Sequence, residues 1–90
     1  MFEWNERKRR DNYRKHRLDF ADCAKVFAGP MVTAPDDRFA YGEWRMRAYG
    51  ILARLVVTVV YTETDEVIRV ISMRKATKRE KAQYLENIQN

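Results

Sequence analysis

Cysteine and histidine are nearly absent from this 90-residue sequence, which has one of each, Cys23 and His16. A single cysteine excludes an intrachain disulfide, and one Cys with one His cannot build a four-ligand structural zinc site. Catalysis by a Ser-His-Asp or Cys-His arrangement would have to run through His16, and no nucleophile-elbow glycine motif accompanies it. Glycine (three) and proline (two) are scarce, so there is no linker, low-complexity tract or repeat, and the elements should be sharply bracketed. The longest apolar run, Leu55 to Tyr61 with Thr58 inside it, is much too short to cross a bilayer. The opening Phe2-Glu3-Trp4-Asn5-Glu6-Arg7 lacks the apolar stretch of a signal peptide. These absences predict a cytoplasmic protein with no membrane association, no metal site and no cofactor.

What is present is a small, basic, foldable chain. Ninety residues predict one domain, 1–90, burying about 65% of the surface that the unfolded chain exposes. Apolar residues make up 46% and aromatics 12%, which argues against a disordered tail. Eighteen Lys and Arg against 13 Asp and Glu give a net charge of +5. Such a surface suits a polyanionic partner (RNA, DNA or an acidic protein) and equally suits simple solubility. Residues 1–20 hold 7 basic and 4 acidic side chains, more than half of the excess.

The periodicity predicts an α+β fold: two N-terminal helices, an antiparallel sheet of three to four strands, and a C-terminal helix. Residues 5–15 form a very polar helix with Asn5 as N-cap, packed mainly through Phe2, Trp4 and Tyr13. Asp19 caps a second helix to about Phe27, in which Phe20, Cys23, Ala24 and Phe27 make an apolar stripe, and Gly29-Pro30 ends it with a left-handed cap. Cys23 on that stripe reads as a core residue. The period then changes to two. Met31–Ala34 is a short strand and Pro35-Asp36-Asp37 a turn. Residues 43–49 alternate, with Glu43, Arg45, Arg47 and Tyr49 on one face and Trp44, Met46 and Ala48 on a core face. Arg54–Thr62 suits a central strand, Thr64-Asp65-Glu66 a turn, and Val67–Met73 the last strand. Thr77-Lys78-Arg79-Glu80 is a capping box opening a helix with apolar positions Tyr84, Leu85 and Ile88. Phe2–Trp4 is a further candidate edge strand.

Two strands carry the candidate chemistry. Glu43, Arg45, Arg47 and Tyr49 share one face, and guanidinium forks match phosphate oxygens; the alternative is a solvated face screened by Glu43. Alternation puts Arg74 on one face with Ile68, Val70 and Ser72, followed by Lys75, Lys78, Arg79 and Lys81, an arrangement that opposes the dipole of the last helix. His16 either caps the first helix or transfers protons near neutral pH. Metal-free RNA cleavage needs a base for the 2′-hydroxyl, cations for the phosphorane-like transition state and an acid for the departing 5′-oxygen. This inventory can supply all three.

The order of the motifs is more specific than any one of them. Phe2-Glu3-Trp4-Asn5, Lys8, Asn12, Lys15-His16, Asp19-Phe20, Ala24-x-Val26-Phe27, Asp36-Asp37 and Tyr41-Gly42-Glu43-x-Arg45 are followed by Leu55-Val56-x-x-Val59-Val60-Tyr61-Thr62-Glu63. Arg69-Val70-Ile71-Ser72-Met73-Arg74-Lys75-Ala76-Thr77, Glu80 and Tyr84 complete the set. From Phe2 to about Tyr84 the chain resembles the BrnT family of type II toxin–antitoxin toxins. It departs from the family pattern at Asn5, Arg17, Gly29 and Met73, where Asp, Gly, Asp and Ala are usual.

The resemblance implies a RelE-like fold and a ribonuclease toxin that inhibits translation. It also implies neutralisation by a BrnA-type antitoxin in a complex built around a toxin dimer, with operator DNA contacted through the antitoxin. Positions matching the recurrent polar pattern are Lys15, His16, Glu43, Arg45, Arg69, Ser72, Arg74, Glu80 and Tyr84. The roles expected are Arg45 and Arg74 on the scissile phosphate, Glu43 or His16 as base, and Tyr84 or His16 as acid. Lys15, Arg47, Arg69 and Lys75 are expected to contact RNA. The alternatives are a non-catalytic basic binding module and an inactive homologue acting with an antitoxin in operon repression.

Overall fold

A computed structural model of the chain describes residues 1–36 and 44–88. Among these described residues, three helices and a five-stranded sheet make a mixed α+β fold in the order β1 (Phe2–Glu3), α1 (Glu6–His16), a 3-10 turn (Phe20–Asp22), α2 (Cys23–Ala28), β2 (Val32–Pro35), β3 (Met46–Leu52), β4 (Leu55–Glu63), β5 (Ile68–Lys75) and α3 (Lys78–Ile88). The strands lie in the order β1-β5-β4-β3-β2. The candidate edge strand at Phe2–Trp4 forms as β1 and takes the sheet beyond the three to four strands expected, and the sheet is not wholly antiparallel, because β1 pairs with β5 in parallel.

Local chemistry explains the helix ends. Asn5 accepts the Lys8 N–H at 3.1 Å, Glu6 lies in the first turn of α1, and Arg14, Lys15 and His16 in the last, all favourable to the helix dipole. Asp19 caps the 3-10 turn rather than a longer helix, accepting the Ala21 N–H. The left-handed cap falls at Arg17, with φ 59°, whereas Gly29 is extended. The Thr77–Glu80 capping box forms as expected, the Glu80 N–H donating to Thr77 Oγ1 and the Thr77 N–H to Glu80 Oε1.

The main core lies between one sheet face and the N-terminal helices. Phe20, Cys23 and Val26 pack there on Ala48, Val57, Val59, Tyr61, Val70 and Met73. Burial pushes the Cys23 thiol up to about 12, as befits a core residue. Gly50 permits the close approach of α2, since a Cβ there would stand 2.7 Å from Val26 Cγ1. The central strand β4 is buried from Val56 to Tyr61, as its apolar run implied. Tyr13 and Trp44 do not join this core. They are 47% and 82% exposed, and β3 begins only at Met46. Ala53 and Arg54 connect β3 to β4 with φ of 49° and 69°, the type I′ geometry that a two-residue hairpin requires.

β5 departs from simple alternation. Val60 pairs with Ser72 but Tyr61 with Val70, so Ile71 is an extra residue in the ladder. This bulge shifts the phase: Ile68, Val70 and Met73 face the core, while Ser72 and Arg74 pair across β4 with Val60 and Thr58 on the opposite face. The expected shared face of Ile68, Val70, Ser72 and Arg74 is therefore split. Uninterrupted alternation would have kept Arg74 on the same side as Val70.

β1 covers β5 only at Ile68 and Arg69, so the rest of that edge needs another partner. Asn12, buried on α1, supplies it. Its Oδ1 accepts the Met73 N–H at 3.1 Å, and its Nδ2 donates to the Met73 carbonyl at 2.8 Å and to the Leu18 carbonyl at 3.2 Å. The carboxamide thus stands in for a strand. Asn12→Leu is expected to cost about 2–4 kcal/mol by stranding these buried groups, read from urea denaturation. A loss under about 0.5 kcal/mol, within the range of ordinary surface changes, would show that the edge closes without it.

Candidate active site on the second sheet face

The face opposite the main core carries a charged cluster beneath α3. Pairing across β3, β4 and β5 sets two rows of side chains, Tyr49–Thr58–Arg74 and Arg47–Val60–Ser72. Helix α3 lays Glu80 over them. Glu80 Oε1 accepts from Arg74 Nη1 at 2.6 Å, from Thr58 Oγ1 at 3.0 Å and from the Thr77 N–H at 3.0 Å, while Oε2 accepts from Arg74 Nη2 at 3.0 Å. Burial alone would raise the pKa of this carboxyl. The Arg74 fork, the Thr77 N–H and the Thr58 hydroxyl outweigh burial and hold it at about 2. The same fork raises the pKa of Arg74 further.

Arg47 is held more loosely. Its Nη1 is 3.8 Å from Glu80 Oε2 and its Nε 3.7 Å from Asp36 Oδ1, both beyond hydrogen-bond length. Its guanidinium carbon lies 5.9 Å from the centroid of the Tyr49 ring, and its one direct hydrogen bond among the described residues, to the Pro35 carbonyl, is 3.4 Å long. Tyr49 in turn donates to Gln83 Oε1.

The layering of the described charges is not symmetric. The carboxylate side chains of Asp36 and Glu80 are 0% and 9% exposed, the arginine side chains Arg47 and Arg74 22% and 21%. The arginines are therefore the more exposed members of the cluster and the carboxylates the more deeply buried. Such a surface presents N–H donors to an oxyanion at fixed positions.

The expected site residues divide into groups. Arg47 and Arg74 meet through Glu80. Lys15 and His16, exposed at the end of α1, line a groove of about 310 Å³ with Lys8, Asp11, Ile71 and Ser72. Because Ser72 also lies in the row of Arg47, this groove borders the cluster. Arg45 is half-buried just before β3, and its carbonyl accepts the Asp36 N–H. Lys75 is exposed at the end of β5. Arg69 lies apart at the β1 junction, paired with Glu3 at 3.1 Å. Tyr84 is buried on the inner face of α3, and its hydroxyl donates to the Pro30 carbonyl. Glu43 lies outside the described residues.

Thr58 and Asp36 carry no role in the reading from sequence, and Glu80 enters it only as a capping residue and a position of the polar pattern. Thr58 left a trace, as the one polar residue in the apolar run of a central strand. Glu80 was masked by its second duty in the capping box. Asp36 read as a turn residue, and no local pattern marks its burial.

Residues 4–80 match the family model described as the ribonuclease toxin, BrnT, of type II toxin–antitoxin systems. The chain belongs to the BrnT family. The match spans every element from α1 to the first turn of α3, and so takes in Arg47, Arg74 and Glu80 together. Among curated proteins no match is found. Membership of a BrnT-type system implies an antitoxin partner and supports ribonuclease activity for this chain. No helix among the described residues is long and apolar enough to cross a membrane.

Proposed function

We propose that this BrnT protein is a RelE-like, metal-independent endoribonuclease of the cytoplasm that inhibits translation by cutting RNA. In this reading a BrnA-type antitoxin neutralises it within a complex built on a toxin dimer, and operator DNA is met only through that complex. The observation that carries the reading is the pair of partly exposed arginines, Arg47 and Arg74, set beside buried carboxylates on the second sheet face.

The two arginines bind the scissile phosphate. Arg74 is seated by Glu80 and keeps its position without reorganisation. Arg47, with its long contacts, has donors to give to the phosphorane oxygens as charge builds there. A base takes the proton from the ribose 2′-hydroxyl, the oxygen attacks phosphorus, and the 5′-oxygen leaves with a proton from an acid. Glu80 is a poor base, because its pKa is held at about 2. His16, in the groove that borders the cluster, is the proposed proton carrier, together with Glu43. Lys15, Arg45 and Lys75 contact flanking phosphates. Tyr84 holds α3 in place, and Arg69 serves the β1 junction.

Incubation of the purified chain with a defined RNA tests this. The expected products end in a 2′,3′-cyclic phosphate and a 5′-hydroxyl, identified by mass spectrometry. RNA that stays intact, while expression of the chain leaves growth unaffected, would remove the enzymatic reading.

A further inference from the structure

The flank of α1 that faces away from the His16 groove carries a second basic surface. Arg9, Arg10, Tyr13, Arg14, Arg17 and Asp19 line a groove of about 520 Å³. Helix α1 holds six Lys and Arg against two acids, most of the chain's excess of positive charge.

Three observations set this groove apart from an ordinary solvated helix face. Its acid is already used: both Asp19 oxygens are taken by Arg9, at 2.7 and 3.1 Å, and one of them also accepts the Ala21 N–H. Asp19 therefore does not cancel Arg10, Arg14 and Arg17, and the exposed Asp11–Arg14 pair at 3.7 Å contributes little. Next, Arg10–Arg14 and Arg14–Arg17 are like charges at i,i+4 and i,i+3 spacing, a repulsion that the free protein bears. Last, Arg17 sits in the left-handed cap position with φ 59°, where glycine or asparagine is favoured. The strain places its guanidinium 5.8 Å from the centroid of the half-exposed Tyr13 ring. Arg17 thus adds a further guanidinium to this groove, beside the Tyr13 ring.

We propose that this groove is an auxiliary track for single-stranded RNA, separate from the cleavage site. Arginine forks engage successive phosphates, and Tyr13 offers a flat aromatic surface on which a base stacks beside the Arg17 guanidinium. An acidic peptide would satisfy the arginines but would leave the aromatic surface without a flat partner, so RNA is the better fit. The proposal rests on the RNA-substrate reading above and gives long substrates a second point of attachment.

The test compares wild type with the Arg10→Ala/Arg14→Ala/Arg17→Gly variant on uncleavable 2′-O-methyl RNA, as a tetranucleotide and as an oligonucleotide several times longer, across a salt series. Cleavage of unmodified RNA of both lengths is followed in parallel. The variant is expected to cleave the tetranucleotide at the wild-type rate and to bind the long RNA more weakly. Its log–log salt slope should be shallower by about 2, for three lost phosphate contacts on a single strand. Tyr13→Ala should weaken long-RNA binding about fivefold or more, and Tyr13→Phe should restore it. Arg17→Gly alone should raise Tm while weakening binding, a combination that a merely structural role would not produce. Unchanged affinity and salt slope in the triple variant would overturn the proposal. So would unchanged RNA binding together with lost affinity for a poly-glutamate peptide, which would make the groove a protein-docking surface. If wild type binds long RNA through α1 but cleaves neither substrate, the track stands and the ribonuclease reading falls.

Discussion

Glu80→Ala is expected to destabilise the protein by about 3–5 kcal/mol, the usual cost of removing one partner from a buried ion pair. The carboxylate is the hub of the second face. Without it the Arg74 fork loses both of its charge-assisted bonds, the Thr58 hydroxyl loses its acceptor beneath α3, and the Thr77 N–H loses its cap. Arg47 loses the charge nearest its Nη1. Denaturant midpoints measure the effect, and wild-type stability in the alanine variant would refute the hub role.

The same residue sets an acid limb. Its carboxyl titrates at about 2 in the folded chain, against 4.5 for an unperturbed glutamate. A depressed folded pKa means that the stabilisation is complete above about pH 4.5 and is lost as pH falls towards 2. From the separation of the two pKa values it amounts to about 3 kcal/mol. Glu80→Gln should therefore flatten the stability profile between pH 5 and 2. A profile identical to wild type across that window would assign the acid limb to other carboxylates.

Arg47→Ala is expected to reduce RNA cleavage by about 10²–10³-fold with little change in fold stability, in line with the loss of one donor aimed at transition-state charge. The contrast with Glu80 follows from their partners. Arg47 makes long contacts to both carboxylates, so among the described residues its removal breaks no short ion pair, whereas removing Glu80 breaks the bidentate one with Arg74. Arg47→Lys keeps the charge but not the fork, so it should recover only a small part of the rate. A lysine variant as fast as wild type would mean that Arg47 only steers RNA electrostatically. That outcome would appear as a shift in KM and its salt dependence, with kcat preserved.

The elements differ, for physical reasons, in how far their own residues determine them. The helix starts were readable because caps are local: Asn5, Asp19 and the Thr77–Glu80 box each act within three residues of themselves. The central strand was readable from its continuous apolar run. The phase of β5 was not, because a bulge at Ile71 arises from how β4 and β5 pair and leaves no mark in a single strand. The error was confined but important, since it placed Arg74 among residues that face the core. The left-handed turn was expected at Gly29 and occurs at Arg17, where the tertiary position of α1 against β5, fixed by Asn12, overrides residue preference. The charged cluster was half readable. Arginines on strands suggest an anion surface, but the buried carboxylates beside them come from the residue after β2 and from a helix start. Their convergence on one sheet face is a property of the fold, and the cleavage expected of that face follows from the cluster as a whole.

The most direct measurement of that claim is the single-turnover cleavage of one defined RNA, in excess chelator, by wild type and by Arg47→Ala, with both proteins shown to be folded. Wild type is expected to retain its rate with divalent ions removed, and the variant to be about 10²–10³-fold slower. Cleavage that stops on chelation, or a variant that cuts as fast as wild type, would contradict it.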